Sequence, residues 1–173
     1  MVPLINQILT CKDYAPKSNA PLAIILCPEW ESAQDVSEKC TDLGSQITVA
    51  NDGKPFRVGC VFANEMKHAA ELYNGKKVTR VFLTLLPLLT RISIYLGCHV
   101  LVTTPTSLKR MLDPSFNITS MDRCCHLIIE CADDCIVKFH QEIDFISKAF
   151  LKERRKYPNQ PNQVILILKS NGD

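Results

Sequence analysis

The residues best suited to chemistry lie between Cys124 and Cys135, which reads CCHLIIECADDC. A short apolar run, His126 to Ile129, ends abruptly in Glu130, Cys131, Ala132, Asp133 and Asp134. Carboxylates placed like this can hold a metal ion or orient a water molecule. Acidic side chains at the carboxyl end of a buried strand are where open parallel α/β sheets put their ligand chemistry. A run this short fits a core helix equally well, but the abrupt apolar-to-acidic step and the similar runs elsewhere favour a strand.

Zinc is a second chemistry raised by Cys124, Cys125, His126, Cys131, Cys135 and His140. Their spacing matches no usual pair-and-pair pattern, and neighbours on a strand point to opposite faces, so buried thiols are the better reading. Cys131 as a nucleophile lacks any neighbouring activating motif. Lys109, Arg110, Lys152, Arg154, Arg155 and Lys156 supply cations for a nucleic-acid backbone. Without interleaved aromatic residues they read first as a solvated helix face.

These residues need a frame, and the apolar pattern supplies one. Leu22 to Cys27 is a fully apolar run of strand length, as expected for a strand covered on both faces, and Cys98 to Thr103, His126 to Ile129 and Gln163 to Leu168 are further strands. Gln46 to Ala50 and Phe56 to Phe62 are further strand candidates around the turn Asn51-Asp52-Gly53. Between them, helical spacing recurs at Ala33, Val36, Cys40 and Leu43, with Gly44 as the expected stop. It recurs at Met66 to Tyr73, at Leu85 to Leu96, after Thr104-Pro105, and at Phe139, Ile143, Ile146 and Phe150. Met1 to Leu9 reads as the remainder of a helix with no cap. Strands alternating with helices predict an α/β fold with a mostly parallel sheet.

The 173 residues suit one domain, and a net charge of +2 predicts no strong attraction to nucleic acid or membrane beyond a local patch. Of nine cysteines, Cys27, Cys60, Cys98 and Cys131 lie in or beside apolar runs, which suits a reducing, cytoplasmic setting better than a disulfide framework. In that setting Asn117-Ile118-Thr119 is a chance sequon. The sequence shows neither a signal peptide nor an apolar run long enough to span a bilayer, so no membrane partner is expected.

Taken in order, these pieces resemble the first RecA-like lobe of the DEAD-box RNA helicases. Ile25-Leu26-Cys27-Pro28 with Glu31, Ala33 and Gln34 resembles the PTRELAQ element, which implies RNA-phosphate contact at Pro28 and Glu31. Thr104-Pro105 followed by Leu108 resembles TPGRL, implying a second backbone contact at Thr104, Pro105 and Lys109. LIIECAD, Leu127 to Asp133, stands where the family has its DEAD box, and Gln163 to Ser170 stands where the strand ending in SAT belongs.

The departures matter more. Where the family's acidic motif holds magnesium and positions the attacking water, this sequence has Glu130 and Cys131, then Ala132 and Asp133; a thiol is a poor substitute for the carboxylate base. Trp30 replaces the arginine of PTRELA, and TPGR's glycine and arginine are Thr106 and Ser107. No GxxxxGK[ST] occurs, so phosphate cradling has no candidate. The resemblance therefore implies that residues 1–173 are a partial helicase ATP-binding lobe without its Walker A segment: a fragment, a short isoform, or a lobe that has lost its ATPase. No catalytic residue, metal or cofactor is expected in this chain; ATP and magnesium are implied only for a longer chain that carries the loop.

ECAD, TTPTSL and CPEWE together resemble the tudor-domain helicase-like group of the piRNA pathway, the tudor domain-containing protein 12 and Yb type. That implies a germ-cell factor with weak RNA-backbone contact and Piwi-pathway protein partners. The alternatives are an active ATP-dependent RNA helicase completed by upstream sequence and a second lobe, and a protein-interaction module that touches no RNA.

Overall fold

The computed structural model of the chain describes residues 20–50, 56–61, 97–115, 118–156 and 163–169. The helices expected at Met1 to Leu9, Met66 to Tyr73 and Leu85 to Leu96 lie outside them. The described elements run β1 (Ala23–Leu26), α1 (Trp30–Ala50), β2 (Val58–Val61), β3 (Val100–Thr103), α2 (Pro105–Leu112), β4 (His126–Glu130), α3 (Ala132–Lys138), α4 (His140–Arg155) and β5 (Gln163–Ile167).

The five strands form one sheet in the order β2-β3-β1-β4-β5, and every pairing is parallel. β1, β3 and the first four residues of β4 are buried on both faces, which removes the alternation of a half-exposed strand. One face packs Ile24, Leu26, Leu101, Leu127 and Ile129 against Leu108 and Met111 of α2 and Ile143, Ile146 and Phe150 of α4. The other packs Ala23, Ile25, Val100, Val102 and Ile128 against Ala33 and Cys40 of α1. Burial of a side chain such as Phe150 stabilises the fold by roughly 1.5–3 kcal/mol.

β5 breaks this pattern. Its five residues are all exposed, with Leu166 53% and Ile167 48% accessible although their neighbours in β4 are buried or half-buried. Register places Val164 and Leu166 beside Leu127 and Ile129, and Ile165 beside Ile128, so apolar side chains stand uncovered on both faces.

Two expectations need correction. Gln46 to Ala50 is the last turn of α1 and not a strand, and Gly44 lies inside that helix. The glycine is there for close approach: a Cβ at Gly44 would stand 2.5 Å from Phe56 Cδ1. The second concerns α3, a seven-residue helix that follows β4 at once and that the apolar spacing did not suggest.

Candidate functional site: the carboxyl edge of the sheet

Parallel pairing brings the carboxyl ends of all the strands to one edge. Leu26 of β1 pairs with Thr103 of β3 on one side and with Ile129 of β4 on the other. The next residues, Cys27, Thr104 and Glu130, therefore share one row, and the three turns with motif-like sequences lie side by side. This is the edge at which open α/β sheets bind ligands.

At its centre the Cys27 thiol donates to Glu130 Oε2 at 3.2 Å, and the Cys135 thiol donates to the Glu130 carbonyl at 3.3 Å. Burial, then the Glu130 carboxylate, pushes the Cys27 thiol far above its ordinary value. Cys135 is pushed up to about 12, chiefly by burial. Cys131 takes a left-handed backbone conformation, φ 46° and ψ 56°, and is the N-cap of α3. It is the one non-glycine residue with positive φ among those described. Its thiol is raised by burial and by the carboxylates of Glu130, Asp133 and Asp134, which works against a reactive thiolate.

The remaining acids are engaged with the end of β5. Asp133 Oδ1 accepts the Lys169 backbone N–H at 3.2 Å, which holds its carboxyl below the usual range, and Lys169 Nζ stands 3.7 Å from Asp134. Ala132 is buried. Among the described residues no three His, Cys, Asp or Glu side chains are grouped as a metal site. A magnesium–nucleotide pair needs open oxygen ligands; Glu130 and Asp133 each commit one carboxylate oxygen to a contact within the chain.

The backbone-contacting turns are placed as follows. Pro28 is buried, while Glu31 is exposed in the first turn of α1, where its charge suits the positive helix end. Glu29 pairs with Lys138 at 3.0 Å. Thr104 and Pro105 are buried, and Thr104 Oγ1 donates to Ser107 Oγ at 2.9 Å. Arg110 is exposed and Thr106 and Lys109 are half-buried, with the Lys109 ammonium 3.1 Å from Glu142 Oε1.

The basic end of α4 splits into two roles. Lys152 and Arg155 are exposed, and Lys156 pairs with Glu153 at 2.8 Å. Arg154 is buried: its guanidinium donates to the carbonyls of Met121 (3.3 Å) and Asp122, which ties α4 to the loop before β4. It is a structural cation and not part of a solvated face. Sequence reasoning singled out neither Lys138 nor the pairing of Glu142 with Lys109, because the partners lie 109 and 33 residues away.

All eight described cysteines are reduced. None of the described helices is long and apolar enough to cross a membrane.

No sequence-family profile matches the chain. Over 171 residues it is 28% identical to human TDRD12, an ATP-dependent RNA helicase by name, covering 96% of this chain and 12% of that relative. Among solved structures it resembles the yeast DEAD-box splicing factor Prp28 with a TM-score of 0.70 at 15% identity, over 96% of this chain and 32% of that one. A DEAD box protein from Methanococcus jannaschii aligns with a TM-score of 0.58 at 14% identity, over 97% of this chain and 35% of that one. The chain thus spans about an eighth of the curated relative and about a third of these structures. The five-stranded parallel sheet with its flanking helices is the RecA-like fold of these helicase lobes.

Proposed function

We propose that this chain is a RecA-like lobe of a helicase-like RNA-silencing factor, which touches RNA backbone weakly and does not itself hydrolyse ATP. The observation that carries the reading is the row Cys27, Thr104 and Glu130, which aligns three motif-like turns on one sheet edge in a fold shared with DEAD-box proteins. The loss of hydrolysis follows from Cys131 at the place of the catalytic carboxylate and from the internal engagement of Glu130 and Asp133. The resemblance of ECAD, TTPTSL and CPEWE to the tudor-domain helicase-like group extends the reading to a cytoplasmic role beside Piwi-pathway proteins.

RNA contact of this kind is sequence-blind and strongly salt-dependent, since each phosphate engaged releases counterions. Fluorescence anisotropy with a labelled single strand at about 50 and 200 mM salt tests it. Affinity unchanged across that range, or abolished by one base substitution, contradicts the reading.

A protein-scaffolding role is the second reading, favoured by a specific observation. β5, beside this edge, exposes Val164, Ile165, Leu166 and Ile167. Under that reading, replacing Lys109 leaves function intact.

A further inference from the structure

Residues 133–142 grip the rest of the carboxyl edge through charge. Asp133 and Asp134 meet Lys169 after β5, Lys138 meets Glu29 before α1, and Glu142 meets Lys109 in α2. Two of these arms reach the turns proposed to face RNA. One of them occupies Lys109, the cation proposed to meet a phosphate.

The Lys109–Glu142 arm is set by packing rather than by a chance meeting of loose side chains. Leu108 and Met111 on α2 and Ile143 and Ile146 on α4 are all buried in one core cluster, which fixes the two helices side by side. Glu142 is the less exposed partner, 21% against 41% for Lys109. The Lys109 ammonium holds the Glu142 carboxyl below the usual range, so it is ionised at neutral pH. A phosphate that approaches Lys109 therefore finds a carboxylate already bonded to the ammonium. Partly exposed pairs of this kind are weak enough to be exchanged.

We propose that Glu142 is an affinity-setting residue that competes with an RNA phosphate for Lys109 and keeps backbone binding weak. The inference rests on the RNA-contact reading above. Removing the competitor leaves the ammonium to the phosphate, whose charge-assisted bond is of the stronger type.

The test is anisotropy with a labelled oligouridine single strand across a salt series, using wild type, Glu142→Gln, Lys109→Met and the double variant. Glu142→Gln is expected to tighten binding at low salt by up to about five-fold. Its salt dependence should steepen by up to about 0.7 in log–log slope for one phosphate gained. In the Lys109→Met background the same change should do nothing. Asp35→Asn removes an equal charge from the exposed side of α1, on the opposite face of the sheet, and should leave affinity unchanged. Equal tightening by Asp35→Asn, or tightening that survives Lys109→Met, makes this a general charge effect and overturns the proposal. If wild type binds through Lys109 and Glu142→Gln binds no tighter, the proposal fails while the RNA reading stands. Absence of binding by every variant defeats both. Circular dichroism melts of each variant show whether the helices remain paired, and Glu142→Ala repeats the test should the glutamine variant melt early.

Discussion

The Cys27 thiol donates to Glu130 Oε2 across the β1–β4 ladder at 3.2 Å. A carboxylate oxygen that would otherwise face a ligand is thus bonded to a neighbouring strand. Magnesium ATP at about millimolar concentration is accordingly expected to leave the melting temperature unchanged, because only a ligand bound to the native state raises it. Calorimetry with and without the nucleotide measures this. A dose-dependent rise, or RNA-stimulated phosphate release that a Cys131→Ala control loses, would show that the edge still holds nucleotide.

Cys131 sits at φ 46°, where a side chain costs roughly 1 kcal/mol that glycine avoids. Cys131→Gly is expected to stabilise the chain by about 0.5–1 kcal/mol, and Cys131→Val to destabilise it by more. Urea denaturation of the three proteins gives the order. A destabilised glycine variant would mean that the thiol packs more favourably than the backbone suffers.

Gly44→Ala should reverse the usual helix rule. Alanine gains about 1 kcal/mol over glycine in a helix interior, but its Cβ would stand 2.5 Å from the Phe56 ring. That ring is stacked on His99 with centroids 5.4 Å apart and cannot swing away cheaply. Overpacking of this type costs about 1–3 kcal/mol, so a net loss near 1 kcal/mol is expected. Adding Phe56→Leu should recover part of it, as read by the same denaturation curves.

His126 supplies a pH dependence. Burial lowers its pKa below the ordinary 6.5, and its Nδ1 has no hydrogen-bond partner. The unfolded chain therefore takes up the proton more readily than the folded one, and stability rises with pH through the window just beneath 6.5. It is fully present above that value and lost as the solution is acidified. Asp133 and Glu142, whose pKa values are lowered from 3.8 and 4.5, lose their contributions only in more acid solution. Denaturation midpoints at about pH 7.5 and 5.5 should differ for wild type and converge for His126→Gln; an unchanged slope in the variant would exclude His126 as the cause.

β5 predicts association. Among the described residues nothing pairs with its outer side, the run from Gln163 to Leu168 carries no charge or proline, and its apolar side chains are exposed on both faces. The 173-residue chain is expected to self-associate in a concentration-dependent way, and Ile165→Lys with Leu166→Lys to suppress it. Light scattering over a dilution series reads this out. A monomer with a sharp, concentration-independent melt would count against an open edge.

Much of this fold was legible because parallel strands covered on both faces leave unbroken apolar runs, as in β1, β3 and β4. The β-branched residues Ile47, Thr48 and Val49 after a glycine imitate a strand, although the helix runs on to Ala50. α3 was hidden by its length and acidity, since seven residues leave no room for a periodic apolar stripe. The acidic strand end could be located from the sequence. That its carboxylates are engaged by Cys27 and Lys169 could not, because no local pattern encodes partners so distant in the chain.

The thiols have one further consequence. Cys27, Cys40, Cys98, Cys124 and Cys135 are distributed over the turn after β1, α1, the approaches to β3 and β4, and α3, each buried and each held well above its ordinary pKa. An alkylating reagent attacks a thiolate in the open, so each of these sites stays silent until its own element opens. Pulse alkylation followed by peptide mass mapping turns the five cysteines into internal clocks, and the order in which they mark is the order in which the lobe comes apart.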